Sequence, residues 1–356
     1  MHIILFYLVI ASSVLWGAFY PNIFRFPAYQ WFALLFVLTT FRLNINRKLI
    51  IVGLAVLTYT ALIADYFSTF LYCFVIISFI YLFSSSSIPV LESIKSDNKL
   101  KKYINTAITL NSVVLVYQYA FVDTQFISGF FPEPSHLGYT LGPILALMVT
   151  NNSTQRLALV NLFICYMLSP SLTLIVSFVV TYIVWLVRAI HKLTLFILIV
   201  SMLLIGVVSL YYFNTFELTA LESKNESLQI WLFGYVRAFD LLTNVSIFGA
   251  GPFGWIAESG EEDASSFAIE LMNQRDLASM IPFGIASFGP FFIFLLLYIL
   301  YLVLKFDISD SLDTFLSLVV LGFILSACFR WAGFTLTPLL VFGSFLIAVR
   351  SKVKSI

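Results

Sequence analysis

Apolar residues in this chain do not alternate with polar ones, nor do they recur only every third or fourth position. They run on in long blocks at 3–20, 27–41, 49–64, 66–83, 104–122, 137–150, 157–168, 171–187, 193–213, 282–304, 315–327 and 334–349. Runs of about 18 or more apolar residues read as transmembrane helices. Backbone in lipid must satisfy its own hydrogen bonds, so helices are the expected form. A membrane barrel would show short alternating segments instead. The pattern therefore predicts an all-α polytopic membrane protein with about twelve transmembrane helices. One long polar stretch breaks it, dividing the chain into 1–213 with nine spans, a loop at 214–281, and 282–356 with three more spans.

Composition sharpens this picture. The chain is 61% hydrophobic and 10% charged, with mean hydropathy +1.00, whereas soluble domains carry about a quarter charged residues. A net charge of +1 leaves no footprint for nucleic acid. Cys73, Cys165 and Cys328 all fall inside apolar blocks and form neither a disulfide framework nor a metal-ligand spacing. The first block lacks a basic lead and a small-residue cleavage site, so it reads as an uncleaved span.

Lysine and arginine set the orientation. With a cytoplasmic N-terminus, fourteen basic residues fall in inside loops and five outside. Both termini are then cytoplasmic and the long loop is periplasmic. That loop carries ten acidic and three basic residues. Arg25, Arg237, Arg275 and Arg330 are outside against the bias, and four outer-face arginines suggest an anion site. Each is also readable singly as a snorkelling or solvated residue.

Three segments carry candidate chemistry. In Phe131-Pro132-Glu133-Pro134-Ser135-His136-Leu137-Gly138, Pro134 disfavours a helical Glu133 and Pro132 stiffens the other side. Ser135 is the expected N-cap of the sixth span. Glu133 and His136 then stand at an outer helix N-terminus, whose dipole favours ionised Glu133 and neutral His136. Either is a candidate general base; the bland alternative is a glutamate that caps a helix. Gly138 and Gly142 are expected to let a neighbouring helix approach. In the loop, 227–244 predicts an amphipathic helix lying on the membrane. Leu228, Trp231, Leu232, Tyr235, Phe239 and Leu242 share one face and Arg237 lies opposite. Gly249-Ala250-Gly251 follows, where backbone can come close to a ligand. Finally, Arg330 sits beside the interfacial Trp331, and Ser169-Pro170-Ser171 predicts a tight outer turn with Ser169 as N-cap and Pro170 as first helical residue.

Taken in order, these segments resemble the Wzy-type O-antigen polymerases, within the group that includes O-antigen ligases. The resemblance is carried by the Glu133-Pro134-Ser135 segment, by Ser169-Pro170-Ser171-Leu172-Thr173, and by Arg237 followed by Ile247-Phe248-Gly249-Ala250-Gly251-Pro252. The arginine-to-glycine spacing is one residue longer than is frequent in that family. The motifs cover about 131–254 and the topology covers the whole chain. The resemblance implies a GT-C-like, metal-independent, inverting glycosyltransferase of lipopolysaccharide biosynthesis in the bacterial inner membrane, needing no cofactor. Its substrate would be an oligosaccharide linked to undecaprenyl diphosphate, with a chain-length regulator as a further partner. Glu133 and His136 would be catalytic. Arg237, Arg330, Arg25, Arg275, Gly249 and Gly251 would bind substrate.

Two other functions compete. A ligase passing glycan to lipid A-core would resemble this chain but bring a loop histidine, and the three histidines are His2, His136 and His191, none in the loop. A flippase or transporter would line its path with buried charge, and the apolar blocks are almost free of it.

Overall fold

The computed structural model describes residues 22–23, 26–27, 47–63, 73–74, 76–78, 80–81, 84, 97–122, 127–131, 134–188, 234–235, 238, 242, 247–249, 279–305, 310–329 and 337–352. Among these the protein is all-α apart from one small hairpin, β1 (Asn22–Ile23) and β2 (Phe26–Pro27), paired antiparallel with Asn22 opposite Pro27. Nine helices follow among the described residues. They are α1 (Arg47–Ile63), α2 (Asp97–Phe121), α3 (Pro134–Val149), α4 (Gln155–Leu168), α5 (Leu172–Val187), α6 (Met280–Phe288), α7 (Pro290–Leu304), α8 (Ser311–Phe329) and α9 (Thr337–Lys352).

Several expectations need correcting. The expected tenth span is two helices, because Gly289 ends α6 with φ +56° and Pro290 starts α7. Proline at a first helical position costs no hydrogen bond, so the pair makes a clean break. Ser135 is not an N-cap, since α3 already begins at Pro134. Ser169 caps the C-terminus of α4, and Ser171 is the N-cap of α5, with Pro170 between them. α2 starts well before the expected 104, because its charged first turns continue the helix beyond the apolar block. The expected spans at 3–20 and 193–213 lie outside the described residues, as does most of 27–41 and 66–83.

Two helices form the centre. In α3, every residue from Leu137 to Met148 is buried, and α8 is buried from Phe315 to Ala327. A helix that is apolar all round belongs inside a bundle or a membrane. α3 packs most extensively on α5, and both pack on α8. Small residues bring them together: a Cβ on Gly142 would stand 1.9 Å from Ser177 Oγ, and one on Gly322 would stand 2.6 Å from Thr181 Oγ1. The close approach expected of Gly138 and Gly142 is thus made to α5.

The outer helices are built the opposite way from those of a soluble protein. Leu62, Phe121, Phe163, Leu172 and Phe294 are among their many exposed apolar side chains. Their inner faces hold polar groups. Asn161 donates to Asn105 Oδ1 (3.1 Å) and Thr109 Oγ1 (3.0 Å), and Asn105 donates to the Thr154 carbonyl (3.2 Å), tying α2 to α4. Hydroxyls of Thr60, Ser112, Thr181 and Ser326 donate back to carbonyls four residues earlier, which satisfies them inside apolar surroundings. Among the described residues, the segment Ser311–Cys328 of α8 is long and apolar enough to cross a membrane; five other apolar helices are shorter.

Charge gathers at one end. Lys101 lies over the Phe315 ring at 4.9 Å. Arg350 pairs with Asp313 (2.8 Å), donates to Ser317 Oγ (2.7 Å), and caps the last carbonyls of α7 at Leu302 and Val303. The starts of α2 and α8 and the ends of α7 and α9 therefore meet there. The end of α2, the start of α3 and the end of α8 lie at the other end.

Candidate functional site

The segment before α3 is held by α2. Asn111 and Gln118 are seven residues apart, two helical turns, and so share a face. That face is otherwise apolar, through Ile104, Ile108 and Leu115. Gln118 Oε1 accepts from the amides of Ser128 (3.2 Å) and Gly129 (2.8 Å), and its Nε2 donates to the Gly129 carbonyl (2.9 Å). Asn111 Oδ1 accepts from the Phe130 amide (3.0 Å). The Phe131 amide closes a turn onto the Ser128 carbonyl at 3.1 Å, and the Ser128 hydroxyl donates to the Phe131 carbonyl. Gly129 has φ +65°, and a Cβ there would meet Asn111 Oδ1 at 2.3 Å. Glycine is required at this position for both reasons.

Beyond this turn, α3 starts at Pro134. His136 is half-buried in its first turn, with its ring 5.4 Å from that of Tyr139. One turn on, Gly138 sits against α5, where a Cβ would meet the Leu174 amide nitrogen at 2.6 Å and Ser171 Oγ at 3.1 Å. Ser177 Oγ donates to the Gly138 carbonyl at 2.9 Å. The helix N-termini of α3 and α5 therefore converge, and His136 lies at the bundle end opposite the Arg350–Asp313 pair.

The long loop also reaches the bundle. Tyr235 and Ala238 are helical and belong to the core, and Leu242 packs against it. Tyr235 and Leu242 are on the predicted apolar stripe and meet protein rather than a lipid surface; apart from these, Gly234 and Ala238, the helix expected at 227–244 lies outside the described residues. Burial pushes the Tyr235 phenol well above its usual range, while a hydrogen bond with Ser279 pulls the other way.

Further along the loop, Gly249 has φ +84°, and its missing Cβ would stand 2.6 Å from the Ser287 carbonyl carbon. The close backbone approach, expected toward a ligand, is made at Gly249 to the end of α6 instead. Gly289 answers it, for a Cβ there would be 2.3 Å from the Ile247 oxygen. Tyr59 of α1 completes the junction. Its hydroxyl donates to the Phe248 (2.8 Å) and Phe288 (3.0 Å) carbonyls, and its ring stacks on Phe291 at 4.6 Å.

Of the predicted site residues, His136 and Gly249 are therefore described. Glu133, Arg25, Arg237, Arg275, Arg330 and Gly251 lie outside the described residues. Asn111, Gln118, Ser177 and Tyr59 were not anticipated. The signal for the first two was available: polar residues two turns apart on an apolar helix face. Comparison with protein-family models, curated proteins and solved structures found no match to this chain.

Proposed function

We propose that this chain is a polytopic inner-membrane glycosyltransferase that polymerises lipid-linked oligosaccharide repeat units at the periplasmic face. The reading takes the twelve spans and the GT-C-like arrangement with it. The distribution of polarity supports the membrane part, since large apolar side chains cover the outer helices while amides and hydroxyls pair inside. In water such a surface would be an aggregation hazard; in lipid it is the ordinary arrangement.

The observation that carries the reaction is the lead-in to α3. A glycine turn held by α2 precedes a helix buried from Leu137 to Met148, whose half-buried first turn places His136 away from the charged end of the bundle. Chemistry on water-soluble sugars has to sit at such an end, outside the hydrocarbon. Glu133, with His136 as the alternative, takes the proton from an acceptor hydroxyl. The hydroxyl oxygen bonds to the anomeric carbon of the growing glycan. The bond from that carbon to the diphosphate oxygen breaks, and undecaprenyl diphosphate leaves with the electron pair. Arg237 and Arg330, with Arg25 and Arg275, neutralise the charge that develops on it. Arginine suits this role because its fork binds phosphate oxygens in pairs. The loop, already seated on the bundle through Tyr235 and the Tyr59 junction, covers the site.

Glu133→Gln tests this assignment. It keeps shape and hydrogen bonding but cannot accept the proton. Turnover should fall about a hundred- to ten-thousandfold with donor binding retained, while His136→Ala is milder. A normal Gln118-clasped segment with Glu133→Gln active and His136→Ala dead would move the role to the histidine; two active variants would remove the base from this segment.

A further inference from the structure

We infer that Gln118 and Asn111 are positioning residues for the reaction. They form a clasp on α2 that fixes the turn before α3 and thereby sets where the chain entering α3 presents the proposed base, Glu133, with His136 as the alternative. The inference rests on the reaction proposed above.

Three observations carry it. First, Gln118 uses both ends of its amide on one turn, through three hydrogen bonds of 2.8–3.2 Å to the Ser128 and Gly129 backbone. A side chain that merely fills space needs none of these. Second, Asn111 is fully buried and spends its carbonyl oxygen on the Phe130 amide. Together the two side chains satisfy three consecutive backbone amides, those of Ser128, Gly129 and Phe130. Third, Gly129 at φ +65° leaves no room for a side chain over Asn111, so turn and clasp fit only each other.

The clasp holds the turn, and α5 holds the helix through Gly138 and Ser177. In sequence, Glu133 and His136 both lie between the two anchors, the turn at 128–131 and Gly138. Loosening either anchor changes their presentation without touching substrate. A displacement of about 1 Å in a catalytic group costs on the order of a hundredfold in rate.

The test compares Gln118→Leu, which removes all three bonds at similar volume, with Gln118→Glu, whose carboxylate still accepts from Ser128 and Gly129. Both are purified full-length and assayed with a defined undecaprenyl-diphosphate-linked repeat unit. The expected result is a kcat about a hundredfold lower for Gln118→Leu, with KM within twofold and the melting temperature nearly unchanged, and substantial recovery in Gln118→Glu. Hydrogen exchange is read on the same samples, and the amides of 128–130 should exchange much faster in Gln118→Leu while those of α4 and α5 do not. Unchanged kcat, or a loss that simply follows a lowered melting temperature, overturns the positioning role. Unchanged exchange at 128–130 overturns the clasp itself. That readout needs no turnover, so if the wild-type protein makes no polymer the proposed reaction fails separately, and the clasp is still judged.

Discussion

Substituting Gly142 by alanine tests how α3 is seated. The new methyl would stand 1.9 Å from Ser177 Oγ, 3.0 Å from Ser177 Cβ and 3.1 Å from the Leu174 carbonyl oxygen. Ser177 cannot simply turn away, because its hydroxyl bonds the carbonyls of Gly138 (2.9 Å) and Leu174 (3.2 Å). Overpacking a close-packed core costs about 1–3 kcal/mol, and loss of the hydroxyl's bonds adds about 1 kcal/mol. The clash involves one small side chain, so Ser177→Gly should relieve most of it. The double variant should be more stable than the two single losses imply, by about 1–2 kcal/mol of coupling. Gly138→Ala is the contrasting case, since its methyl would meet the Leu174 backbone at 2.6 Å, which no side-chain change can relieve. Melting of detergent-solubilised protein, followed by tryptophan fluorescence at one scan rate, reads these differences; for a chain of this length each kcal/mol corresponds to about 1–2 °C. Wild-type melting in Gly142→Ala, or strictly additive effects in the double variant, would refute the packing described for α3 and α5.

Three further outcomes follow from other parts of the molecule. Gly249→Ala forces a side chain into a φ of +84° and against the Ser287 backbone, so limited proteolysis should cut the 214–281 loop faster than in wild type; equal cutting would mean that the loop is not seated there. Arg350→Ala leaves the Asp313 carboxylate, only 7% exposed, without its 2.8 Å partner, and should destabilise by about 2–4 kcal/mol, below the cost of a fully buried pair because the guanidinium is partly in solvent; a melting shift under 1 °C contradicts this. Arg237→Ala and Arg330→Ala should each abolish polymer at unchanged protein level, with lysine a poor substitute; full-length ladders from both alanine variants would end the diphosphate role.

Much of the helical frame was legible in the run of apolar blocks. Eight of the twelve expected spans correspond to helices among the described residues, because a long apolar block has few other ways to pair its backbone. Breaks and caps were harder to read. Gly289-Pro290 interrupts one apolar block without changing its hydropathy, so a reading by apolar runs passes over a break that the dipeptide itself signals. Ser169 and Ser171 have the same capping chemistry, so which helix each serves depends on where α4 runs out. The apolar stripe around Tyr235 was visible as a face, but a stripe does not state whether lipid or protein covers it. In the candidate site, the α3 lead-in stood out by its prolines and charged residues. The clasp left a weaker trace: Asn111 and Gln118 stand two turns apart on an apolar helix face, but their spacing does not name the turn they hold.

The central claim is that this chain joins lipid-linked saccharides. It is tested most directly by reconstituting the purified protein in liposomes with a synthetic undecaprenyl-diphosphate repeat unit and no added metal. Products are resolved on a gel, and released undecaprenyl diphosphate is measured by mass spectrometry. The account predicts a ladder of polymers, with one undecaprenyl diphosphate freed per bond formed. A repeat unit that crosses the bilayer but keeps its single-unit mass, with no undecaprenyl diphosphate released, would contradict it and make the protein a transporter.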